Sequence, residues 1–166
     1  MELSRLEQLL IIKRLKNKIK KNEIITDMFK EHDVDISELD LIPMAFAALD
    51  VSAKTDHGII YLNEKLIEES NIMEEDHYLT HEITHWLQQT TGTKPTKGSD
   101  DGDYLENEFE QEAFQNQTKY ISEVYDEEEA EEYIDQVLDH HDIDGKERSE
   151  KRKKLLRTSL ITNLLK

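Results

Sequence analysis

Glycine and proline are scarce in this chain, five and two among 166 residues, and so few backbone breaks force it into long helices. Residues 2–21 place Leu3, Leu6, Leu10, Leu15 and Ile19 at roughly helical spacing, with lysines on the other face. A short second helix is predicted around 23–31. After Pro43 the character changes: 44–54 reads as extended, Thr55-Asp56-His57-Gly58 is turn chemistry, and Ile59-Ile60-Tyr61-Leu62 is rich in β formers. Together these predict a hairpin. Asn63 can cap a short helix over 64–69, and Asn71 with Glu74 resembles a capping box opening a helix that runs to about Thr91 and stops at Gly92. Residues 93–103 carry every loop signal. Three helices are predicted beyond them, over 104–125, 127–140 and 146–165. The expected class is α+β, predominantly helical with a small hairpin or sheet. Its segments are 1–40, 41–125 and 126–166, the whole forming one compact unit.

Composition narrows the function classes. Thirty-eight acids against 21 bases give a formal charge of −17, and residues 100–144 hold 18 of those acids with Lys119 as their single base. So acidic a body disfavours nucleic acid and anionic membranes as partners. With no cysteine, disulfides, thiolate metal sites and cysteine nucleophiles are all excluded. No run approaches membrane-spanning length, and Leu9-Leu10-Ile11-Ile12 is too short for a secretion signal, so a cytoplasmic location is expected.

The chemistry concentrates in His81-Glu82-Ile83-Thr84-His85. Two histidines four apart on a helix differ by about 40° around its axis, so both imidazoles can reach one tetrahedral ion. The glutamate after the first histidine projects beside that ion and can take a proton from water. Counting about 100° per residue from Tyr78, His81, His85, Gln89 and Glu82 share one arc, while Leu79, Ile83, Trp86 and Leu87 fill the next. Such a helix is buried along its apolar side.

A third protein ligand is required, and the helix after the loop offers Glu106, Glu108, Glu110 and Glu112. With Leu105 as the origin of the buried stripe, Glu112 falls inside it together with Phe109, Ala113 and Tyr120. Glu108 lies at its edge, and Glu106 and Glu110 lie outside. A carboxylate directed into a core is costly unless paired or metal-bound. Glu112 is therefore the expected ligand and Glu108 the next candidate.

With Glu112-Ala113 placed 27 residues after the second histidine, the chain resembles the glutamate-zincin metallopeptidases. The Glu110-Gln111-Glu112-Ala113-Phe114 stretch is most similar to the ImmA/IrrE-type and related small metallopeptidases of phages and mobile elements. The resemblance covers about residues 42–120 and implies a zincin-like core over 41–125. It implies Zn2+ held by His81, His85 and Glu112, with Glu82 as catalytic base. The chain differs at Phe114, where that family often has Asn, and in its acidic C-terminal extension.

The expected activity is hydrolysis of a protein or peptide substrate by metal-activated water. Tyr104, Tyr78 and His57 are the candidate oxyanion donors, and Asn116 could orient the ligands. Ile59, Ile60 and Tyr61 are the expected substrate strand, a placement that the resemblance implies. His140 and His141 are read as residues favoured by a helix C-terminus, since neighbours in sequence do not share a helix face. The rival reading is a non-catalytic acidic interaction or phage-assembly protein on a metal-stabilised scaffold. The intact Glu82 weighs against it, since a structural site needs no base.

Overall fold

The computed structural model describes residues 3–69, 73–92 and 104–157. Their architecture is α+β, mostly helical, with one three-stranded mixed sheet. By its contacts the chain divides into two compact units, Met1–Pro95 and Thr96–Lys166, so the boundary falls inside the expected 41–125 segment.

In the first unit, helix α1 (Arg5–Lys20) opens on a reciprocal cap. The Glu7 N–H donates to Ser4 Oγ and the Ser4 N–H donates to the Glu7 carboxylate. The helix buries Ile12, Leu15 and Ile19, whereas Leu6, Leu9 and Leu10 remain exposed, so the predicted apolar stripe packs only along its C-terminal half. Helix α2 (Glu23–Glu31) is capped by Asn22 and buries Ile25, Met28 and Phe29. A 3-10 turn, Ile36–Leu41, leads to strand β1 (Met44–Ala47).

The segment predicted as extended from 44 to 54 is two strands separated by a loop, β1 and β2 (Ala53–Asp56). Strand β3 (Ile59–Asn63) lies between them, parallel to β1 and antiparallel to β2. The β2–β3 hairpin turns on His57 and Gly58, both at positive φ, which glycine adopts without strain. Asn63 does the capping expected of it. Its Oδ1 accepts from the Lys65 N–H at the start of α3 (Lys65–Glu69), while its amide donates to the carbonyls of Leu49 and Val51 and fixes the loop before β2.

Helix α4 (His77–Thr90) packs on β2, β3 and α2. Leu79, Ile83 and Leu87 are fully buried, as are Ile60 and Leu62 of β3. Each such side chain contributes about 1.5–3 kcal/mol. Trp86 stacks on Phe29 with ring centroids 6.5 Å apart, confirming its packing role. The helix starts at His77 rather than near Asn71, which lies outside the described residues. Its N-cap, Asp76, makes no side-chain cap bond. The Asp76 carboxylate instead pairs with Lys18 of α1 at 2.8 Å, and Lys18 also donates to the Met73 carbonyl. Gly92, at φ +86, follows the helix as predicted.

In the second unit, a 3-10 turn, Tyr104–Glu106, precedes α5 (Glu108–Val124), α6 (Glu127–His140) and α7 (Gly145–Leu155). Leu105, Phe114, Ile121, Ala130, Ile134, Leu138, Leu155 and Leu156 form its core. The basic face of α7 covers the acidic one of α6: Arg148 pairs with Asp139 and Asp135, and Arg152 with Asp135 and Glu131. Residues 158–165 of the last predicted helix lie outside the described residues.

Candidate metal site

Helix α4 brings the two histidines together as their spacing predicts. His81 Nε2 and His85 Nε2 stand 3.2 Å apart, on residues 8% and 5% exposed. Two nitrogens bound at about 2.0–2.1 Å to one tetrahedral ion would stand about 3.3 Å apart. The observed separation fits a shared cation, and it equally fits a hydrogen bond between the two rings. On its other side, His85 Nδ1 lies 2.9 Å from the Gln88 side-chain carbonyl, one helical turn further along.

Glu82, buried beside them, is held from the sheet. The Thr55 hydroxyl of β2 lies 3.1 Å from Glu82 Oε1 and 3.0 Å from the Glu82 main-chain carbonyl, and it donates to both. A buried carboxylate needs such donors to offset lost hydration.

The acid that joins the histidines is Glu110. Ligand atoms of His81, His85 and Glu110 all lie within 4.8 Å of one another, and all three residues are buried, a group that could hold a metal ion. Glu112, the ligand expected from periodicity, is half-buried and outside this group; Glu108 is exposed. The reason is helical phase. Leu105, the origin of the count, belongs to the separate 3-10 turn. Asn107 has extended backbone and caps a new helix by accepting from the N–H groups of Phe109 and Glu110. Counted from Ala113 within α5, Glu110 falls at about 60°, inside a buried arc shared with Tyr120, Gln117 and Ile121, and Glu112 at about −100°, outside it. Asn116 is buried on the same helix.

The remaining candidates separate. Tyr78 stands one turn before Glu82 and hydrogen-bonds Ser52. Burial raises its hydroxyl above the ordinary range, the Ser52 bond opposes this, and the charge of Glu75 adds to it, so the phenol keeps its proton. Tyr104 stacks on His141 at 5.4 Å and meets Phe114 edge-on. His57 is exposed at the hairpin tip, its Nδ1 2.7 Å from Asp56. Ile59, Ile60 and Tyr61 cannot be a substrate strand by edge pairing, because β3 is the central strand and its backbone is engaged by β1 and β2. The most apolar run of a small sheet gains most from the middle position, whatever its place in sequence. Among the described residues no second metal-ligand group forms; His140 and His141 meet only each other's rings and Tyr104 in this respect.

Three contributors escaped the sequence reading: Gln88, Thr55 and Glu110. Gln88 had a usable signal, its i+3 relation to His85. Asn107 as a helix cap would have reset the phase that hid Glu110. Nothing local marks Thr55.

Compared with known proteins, the chain matches no family model, no curated protein and no solved structure significantly. No helix among the described residues is long and apolar enough to cross a membrane.

Proposed function

We propose that this chain is a zinc-dependent peptidase, with His81, His85 and Glu110 as ligands and Glu82 as general base. The observation that carries the reading is the 3.2 Å approach of the two imidazole nitrogens, with a buried carboxylate joining them and a second one alongside. Two nitrogens and one carboxylate oxygen, without thiolate, are the donor set of a catalytic zinc site, which leaves one position open. When bound, the cation supplies Lewis-acid polarisation of a carbonyl and makes water acidic enough to lose a proton near neutral pH.

The chain's own residues supply the rest. Glu82 accepts the proton of the attacking water and returns it to the leaving nitrogen. Thr55 holds the Glu82 carboxylate in place from β2. Tyr78, one turn before Glu82 on α4 and kept protonated, would serve as the donor for a developing oxyanion. Strand β2 replaces β3 as the site of peptide pairing, since among the described residues no strand covers its outer edge. The Asn63 N–H donates to the Ser52 carbonyl, so 52, 54 and 56 point their backbone groups toward β3, and Ala53 and Thr55 point theirs outward. A peptide paired there is held through its main chain.

Metal content and turnover test this together. The purified chain should hold one zinc, Glu110→Ala should lower zinc affinity by at least about 100-fold, and Glu112→Ala should leave it unchanged. A chain that takes up no zinc sinks the reading. One that holds zinc yet cleaves no member of a quenched library of unstructured peptides returns the site to a structural role.

A further inference from the structure

We propose that the Gln88 side-chain carbonyl fixes the tautomer of His85, which makes Gln88 a positioning residue for the metal site; this rests on the metal-binding reading above. A neutral imidazole carries one N–H and one lone pair, and only the lone pair can bind a cation. His85 Nδ1 lies 2.9 Å from Gln88 Oε1, an atom that only accepts, so the ring proton sits on Nδ1 and is donated to Gln88. The lone pair is thereby left on Nε2, the nitrogen that faces His81 Nε2.

Burial makes the assignment durable. Gln88 is 2% exposed and His85 5%, so bulk water offers Nδ1 little alternative. The i+3 spacing on α4 sets both groups on one rigid element, and the pair needs no loop to hold it. Without that acceptor the ring is free to carry its proton on Nε2, where the proton blocks the cation. A methionine at 88 would fill similar volume without an acceptor; a glutamate would keep one, stronger than the amide.

The experiment uses the full chain with zinc alone as probe. Competition against a chelator should show Gln88→Met binding zinc about 10- to 100-fold more weakly, and Gln88→Glu binding it as tightly as the wild type or more so. Long-range nitrogen–proton NMR on the metal-free wild type should show the His85 proton on Nδ1, a readout that general packing damage would not produce. Equal affinity in Gln88→Met and wild type overturns the inference, as does an Nε2-protonated ring. A wild type that binds no zinc overturns the metal reading itself, and the two failures are thereby told apart.

Discussion

Helices α4 and α6 are both 14 residues long, yet they are buried in opposite ways. On α6 only Ala130, Ile134 and Leu138 are buried, three apolar residues at i, i+4 and i+8, while its acids stay exposed or half-buried, three of them paired with α7. On α4 nine residues are buried, and six of them (Thr80, His81, Glu82, Thr84, His85 and Gln88) are polar or ionisable. A helix built only to pack has no reason to desolvate a carboxylate and two imidazoles, since each costs free energy unless specifically paired. The difference teaches that polar burial, rather than hydrophobicity, sets apart the helix on which the proposed site rests.

The sharpest way to break that contrast is Glu82→Gln. Peptide cleavage should fall by about 100- to 10,000-fold with zinc content retained. The metal-free variant should melt no lower than the wild type, because a buried charge has been removed. Cleavage that persists in the purified variant would remove Glu82 as the proposed base. The matching change on α6 should do the reverse: Ile134→Ala opens a cavity in the second unit and should cost about 2–5 kcal/mol in denaturant unfolding. A loss below about 1 kcal/mol would mean that α6 is not the packing element its pattern implies.

The smallest effect concerns His141, at the end of α6. Burial first, and the neighbouring His140 second, push its pKa below the ordinary 6.5, with Asp142 opposing. Protonation is therefore disfavoured in the folded state, and the stability His141 contributes is complete above pH 6.5 and declines as the pH falls below that value. His141→Phe, which keeps a ring against Tyr104, should flatten the change in melting temperature between about pH 7.5 and 5.5. An unaltered slope would place the acid sensitivity elsewhere.

How much of this was legible in the sequence depended on whether a pattern was local. The span of α6 and the pairing of His81 with His85 follow from local pattern alone, and both are found as predicted. Glu110 was hidden by one unwound residue: Asn107 interrupts the helix, and a phase carried across it from Leu105 rotates every later position. The role of β3 was misjudged for a different reason. Strand order in a sheet is a long-range property, and the sequence order β1, β2, β3 does not reveal that the third strand enters between the first two. Thr55 lies 27 residues from the carboxylate it contacts, so only the folded sheet brings it there.

Thr55 also has a bearing on which peptides the proposed enzyme would refuse. Its main-chain carbonyl and that of Ala53 look away from the sheet, and each asks an incoming chain for an amide hydrogen. Recognition of that kind tolerates almost any side-chain sequence, but a proline opposite either carbonyl has no hydrogen to give. Selectivity at this edge would therefore show itself as an aversion to one imino acid rather than a taste for any particular residue.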